Sequence, residues 1–150
     1  QILLTKFSKL GLENLSSYPR IFIWQSSFNF ISQRPFFGWG AGSFPLLFAN
    51  ENSIQKYEHS HSLILELANS YGVLPSLIIT GLVVYILFVS FNKIYLSKNK
   101  DEYLIFDKAW WASSFSLSLS QLFDIQYFDF RISITFWILL AGLTCKIRES

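Results

Sequence analysis

An all-α, polytopic integral membrane helical bundle, present as a fragment, is the fold class the sequence predicts, with an extracytoplasmic loop region containing amphipathic helices. Three observations predict it. Of the 150 residues, 51% are hydrophobic and only 15% charged, against roughly 25% charged in an ordinary soluble domain. Val73 to Phe91 run nineteen positions without a charge, about 28 Å of helix at ~1.5 Å per residue, which matches the hydrocarbon thickness of a bilayer. Two further apolar runs follow it, Ala109 to Phe123 and Ile132 to Cys145. The same composition excludes a disordered chain, which could not stay solvated at this apolarity. Twelve Lys and Arg against ten Asp and Glu give a net charge of +2, too balanced for a nucleic-acid partner. No Met occurs, so Gln1 is not an initiator and the expectation is of the C-terminal portion of a longer protein.

Two regions follow from this pattern: 1–72, an extracytoplasmic loop region with amphipathic helices, and 73–150, transmembrane helices at about 73–91, 109–123 and 132–145. In the first, Ser16 or Ser17 can cap a helix that starts near Tyr18-Pro19 and ends at Gln33-Arg34-Pro35, since the residue before a proline disfavours helix. Ile21, Trp24, Phe28 and Ile31 then share a face, as in a helix lying on a membrane surface. The turn Gly38 to Pro45 (GWGAGSFP) lacks the strand–turn–helix context and the glycine spacing of a dinucleotide loop. Its glycines instead let the backbone approach other elements closely.

A second helix starts near His61 and runs into the membrane span, with Gly72 and Pro75 at the junction. In the span, Pro75 falls in the first turn, where a missing N–H costs least, and Gly81 offers a packing point. Residues 92–108 hold Lys93, Lys98, Lys100 and Lys108 against Asp101, Glu102 and Asp107, which makes this short loop cytoplasmic by the positive-inside rule and places 1–72 outside. The last two runs are each about fifteen residues, short for a span of ~20, so they either thin the bilayer locally or form a hairpin. Trp110, Trp111 and Trp137 suit the interfacial belt, and Ser113, Ser114, Ser116, Ser118 and Ser120 suit helix packing. Cys145 has no partner and reads as a small apolar residue.

Candidate chemistry concentrates before Gly72. His59 and His61 are the only histidines; with Glu58 they would make an incomplete metal site, and as loop residues they cap or solvate. An imidazole with an unperturbed pKa of about 6.5 is suited to taking a proton near neutrality. Arg20 and Arg34 bracket the first helix. Each can meet lipid phosphate or solvent, or grip a diphosphate with a planar fork that Lys cannot supply. Asp124, Asp129 and Arg131 lie in the turn between the last two runs, where a local ion pair competes with a site carboxylate.

Three stretches taken together carry a resemblance: R-I-F-I-W at 20–24, R-P-F-F-G-W-G-A-G-S-F at 34–44 and H-S-H-S-L-I-L-E-L-A-N-S-Y-G at 59–72. In order and spacing they resemble the bacterial O-antigen ligase and polymerase family, over about residues 17–91, with the closing FD-x-x-Y-x-D-x-R and W-I-L-L-A-G-L similar to the last helices of some members. One departure is that the family's Gly-x-x-Gly reads Gly72-Val73-Leu74-Pro75, a change expected to alter the angle at which the next helix enters the membrane.

The resemblance implies a membrane glycosyltransferase in the inner membrane, its active site facing the periplasm. It would move a glycan from a polyprenyl (undecaprenyl) diphosphate carrier to a lipid or glycan acceptor hydroxyl, in surface polysaccharide ligation or polymerisation, by an inverting displacement without metal or cofactor. It points to His61 as the family's essential histidine; set beside that chemistry, Arg20 first and Arg34 second would stabilise the leaving diphosphate, His59 would assist at the substrate, and the apolar face around Trp24 and Phe28 would hold the polyprenyl tail or lie in lipid, the latter preferred. Partners would be the carrier-linked glycan, the acceptor and membrane lipids. The alternative is a transporter of the bicarbonate-uptake kind assigned in the same superfamily, which intramembrane charges would favour; Val73 to Phe91 has none. A non-catalytic anchor would leave Arg20 and His61 free to vary.

Overall fold

The computed structural model describes residues 19–51, 57–96 and 104–148. Among them the structure is all-helical, with six helices and no strand: α1 (Pro19–Gln33), α2 (Phe44–Glu51), α3 (Leu63–Tyr71), α4 (Val73–Tyr95), α5 (Leu104–Ser120) and α6 (Phe130–Arg148). The expected Ser16 or Ser17 cap and the charged positions Lys98, Lys100, Asp101 and Glu102 lie outside the described residues. The chain divides into two compact units, one of residues 1–61 and 65–73, the other of 62–64 and 74–150.

The first unit is built on aromatic packing between α1 and α2. Ile23 and Phe30 of α1 meet Phe44 and Phe48 of α2, all four buried, with Phe22, Trp24, Trp39, Leu47 and Tyr57 packed around them. The buried face of α1 is thus Ile23, Ser26, Ser27 and Phe30, rather than the expected stripe of Ile21, Trp24, Phe28 and Ile31; Phe28 is exposed. The helix is apolar on most of its circumference, so periodicity alone selects no face. Ser26 and Ser27 are buried on the same side as Ile23 and Phe30, and Ser27 Oγ donates to the Ile23 carbonyl at 2.9 Å, a back-bond that serine can make inside a helix.

In the second unit, Ile86 and Ile94 of α4 pack with Phe136, Leu140 and Leu143 of α6, and Trp110, Trp111 and Leu117 of α5 close the cluster. The indoles also pin the helices by hydrogen bonds: Trp110 Nε1 donates to the Leu139 carbonyl and Trp111 Nε1 to that of Leu87, each at 2.9 Å. A Lys146–Asp107 ion pair at 2.9 Å joins α6 to α5. The serines of α5 turn their hydroxyls back onto their own helix, as Ser114 does to Trp110 and Ser118 to Ser114, so the helix can bury them without orphaned donors.

Two of the helices, α4 and α6, are long and apolar enough to cross a membrane, and only 22% and 17% of their most apolar stretches are buried. The core helix of a soluble protein would be buried, whereas these present Leu74, Leu77, Ile78, Leu82, Tyr85, Phe88, Trp137 and Ile138 outward. Lipid is the solvent that accepts such a surface. Pro75 sits in the first turn of an unbroken α4. The second apolar run, Ala109 to Phe123, behaves differently from its sequence outline: α5 starts at Leu104, takes Asp107 and Lys108 into its first turns and stops at Ser120. Beyond it, Leu122 and Phe123 donate to carbonyls only three residues back, so residues 121–123 form a turn.

That turn ends in a defined cap. The Asp129 carboxylate accepts the Arg131 N–H at 2.9 Å and pairs with its guanidinium at 3.2 Å, the N-cap arrangement for α6. The Arg131 side-chain hydrogen bond, with the backbone one, holds the Asp129 carboxyl below the usual carboxylate range. Its contribution is therefore present above the ordinary carboxylate pKa and is lost as pH falls through the lowered value.

Among the described residues, Gly142 packs against a neighbouring helix and Gly81 does not. A Cβ at Gly81 would meet nothing within 4 Å, whereas one at Gly142 would lie 2.6 Å from Trp110 Nε1. Gly142→Ala should therefore destabilise the solubilised full-length protein, by about 1–3 kcal/mol from overpacking. In a Trp110→Ala background the sign should reverse, because Ala is the better helix former by ~1 kcal/mol. Thermal unfolding of the four proteins checks this, and destabilisation that persists without the indole would refute it.

Candidate functional site

The candidate residues Arg20, Trp24, Arg34, His59 and His61 all belong to the first unit, and α3 organises three of them. Its N-terminus follows the histidine loop and its C-terminus receives the glycine turn. A helix leaves its last carbonyls without partners. Here the turn supplies them: Trp39 N–H donates to the Asn69 carbonyl at 2.8 Å and Gly40 N–H to that of Ser70 at 2.9 Å. Val73 N–H closes the contact on the Pro35 carbonyl at 2.7 Å. The glycine turn is thus a helix cap, with two of its amides already engaged, and the close backbone approach expected of its glycines is realised.

Two glycines make that approach possible. Gly38 has φ +62° and Gly72 φ +94°; an added Cβ would lie 2.6 Å from the Asn69 oxygen in the first case and 2.2 Å from the Phe36 oxygen in the second. The R-P-x-x-G-x-G segment and the Gly that ends the histidine segment are therefore two halves of one joint.

The joint orients Arg34. Its guanidinium lies over the Trp39 ring, 4.2 Å from the centroid, and Trp39 is fixed at both ends, by its backbone N–H on Asn69 and its Nε1 on the Phe30 carbonyl at 2.9 Å. Stacking occupies the face of the guanidinium and leaves its N–H edge for an anion. Arg34 is exposed, and beside it Phe36 and Phe37 project at 75% and 90% exposure. A cation next to two unsheltered rings is an amphiphilic surface. Arg20 is exposed on the first turn of α1. Arg20 and Arg34 thus flank α1 at opposite ends. Trp24 packs against the aromatic core, its indole N–H buried and unpartnered among the described residues.

At the other end of α3, His61 is the one non-glycine residue with positive φ among those described, at +52°. His is among the residue types that tolerate this region, but the conformation still costs energy. The loop is held from two sides. Tyr57 packs edge-on to the His61 ring at 6.3 Å and to Phe48 at 5.4 Å, which ties the histidine to the core. Glu66, only 3% exposed, accepts the Ser60 N–H at 3.1 Å. His59 is half-buried in the same loop. Among the described residues no three His, Cys, Asp or Glu side chains gather as a metal site.

Sequence reasoning missed Tyr57, Glu66 and Asn69. Glu66, Asn69 and Ser70 are buried at spacings of three and four on α3, a polar stripe in an apolar helix. That spacing was the available signal: polar groups repeated on one helical face of an otherwise apolar segment are placed for contact.

No curated protein and no solved structure matches the chain. A family model described as O-antigen ligase matches residues 3–89, more than half the sequence, and takes in α1, the glycine turn, the histidine loop, α3 and most of α4. With its motif glycines forming one joint and its apolar helices facing outward, the chain belongs to the O-antigen ligase family.

Proposed function

We propose that this chain forms part of an inner-membrane glycosyltransferase that transfers a glycan from a polyprenyl diphosphate carrier to an acceptor hydroxyl on the periplasmic side, in surface polysaccharide ligation or polymerisation. The observation that carries the reading is the construction around α3. One nine-residue helix holds a strained histidine loop at its start and an arginine-bearing turn at its end. At ~1.5 Å per residue the two ends are about 13 Å apart, a separation that suits groups acting on different parts of a large substrate.

In this reading the acceptor oxygen attacks the anomeric carbon and its proton passes to His61. The bond from that carbon to the diphosphate oxygen breaks, and the configuration inverts. Charge that develops on the leaving diphosphate needs fixed donors, supplied by Arg20 and by the stacked Arg34. The exposed Phe36 and Phe37 would meet the polyprenyl chain or neighbouring lipid, His59 and Trp24 line the substrate, and the cationic loop after α4 stays on the cytoplasmic side. No step calls for a metal.

The test is complementation of a deletion strain with the full-length gene, comparing His61→Ala and Arg20→Ala for surface glycan by gel at matched membrane levels. Loss of glycan in both is expected, with a fall of about 10²–10⁴-fold for a general base. Normal glycan in both would sink the assignment.

A further inference from the structure

Glu66 lies in the first turn of α3, in a helix whose other early residues are Leu and Ile, and it is 3% exposed. A carboxylate taken out of water is costly unless its oxygens are used. Here Oε2 accepts the Ser60 N–H at 3.1 Å. Ser60 is itself fully buried, and its amide is the last one before His61, where the backbone turns left-handed. A residue in that conformation has no deep energy well of its own and keeps its place only if its surroundings over-determine it. The Tyr57 ring constrains the imidazole, and the Glu66 carboxylate constrains the backbone that carries it.

We infer that Glu66 is a positioning residue for the transfer reaction: by accepting the Ser60 amide it sets the height and direction from which His61 meets the acceptor hydroxyl. This rests on the role given to His61 above. The requirement is for an acceptor atom at the end of a two-methylene side chain, which a carboxamide supplies and a shorter carboxylate does not.

The experiment uses the full-length protein in the deletion strain, with the rate of surface-glycan appearance after induction divided by the amount of folded protein in the membrane. Glu66→Gln should work at close to the wild-type rate. Glu66→Asp and Glu66→Ala should fall by about 100-fold, the loss typical of a misplacement near 1 Å. If Glu66→Ala does not reach the membrane, the Gln and Asp variants decide. A Gln variant as slow as Asp would overturn the inference, since charge and not the amide contact would then matter. Asp and Ala variants that lower the amount of protein but keep the rate per molecule would also overturn it, because the role would be structural only. Full activity in His61→Ala would remove the function and the inference together; a silent His61→Ala with a fully active Glu66→Asp would remove the inference alone.

Discussion

Gly72→Ala is expected to lower the stability of the full-length protein by about 2–5 kcal/mol and to deplete it from the membrane. Two costs add. A non-glycine residue in the left-handed region loses roughly 1–2 kcal/mol, and φ at Gly72 is +94°, beyond even the narrow left-handed well. The new Cβ would also stand 2.2 Å from the Phe36 oxygen and 2.5 Å from its carbon. These are backbone atoms and cannot swing aside, so the turn must lift from the helix, breaking the bonds from Trp39, Gly40 and Val73. Overpacking of this kind costs about 1–3 kcal/mol more, a large share of the ~5–15 kcal/mol that holds a typical domain. Gly38→Ala should behave similarly. Gly40→Ala is the control: its φ is +101° but a Cβ there meets nothing within 4 Å among the described residues, so the backbone cost is the one expected. Membrane level and thermal midpoint across the three variants check the order, and a Gly72→Ala protein no worse than Gly40→Ala would refute the joint.

How much of this was legible beforehand depends on the range of the interaction. The bounds of α1 were readable from Pro19 and from Arg34-Pro35, and a junction before the span from Gly72, because these are local effects of φ and of the missing proline N–H; that the helix stops there and a new one begins was not. The outward apolar surface of α4 was readable from nineteen uncharged positions. The face that α1 buries was not, since its apolar residues do not fall on one side and the choice is made by packing against Phe44 and Phe48 of α2. The joint itself could be only half anticipated. Glycines announce close approach, yet the Asn69 and Ser70 carbonyls that they approach are backbone groups, which leave no mark on the sequence. His61 and the two arginines stood out by residue type. Glu66 did not, because a single carboxylate in LILELANSY resembles an exposed helix position until its burial is known.

The largest expected effect on activity is at His61, and the left-handed backbone decides which substitution measures it. His61→Ala removes the imidazole but also places a residue poorly suited to φ +52° at a point where the loop is already strained, so lost glycan could reflect lost protein. Asn tolerates the same conformation. His61→Asn should therefore leave membrane level and thermal midpoint near those of the wild type while surface-glycan formation falls by about 10²–10⁴-fold, the usual loss when a general base is removed. His61→Gly should relieve the backbone but forfeit the edge-on contact with Tyr57, giving equal silence with a less ordered loop. The three variants separate fold from chemistry: only the imidazole is absent from all of them, whereas backbone compatibility differs among them. If glycan formation tracks the thermal midpoint across Ala, Asn and Gly, the histidine holds the loop and does no more. If all three are silent while Asn alone matches the wild type in stability, the acceptor hydroxyl loses its proton to His61.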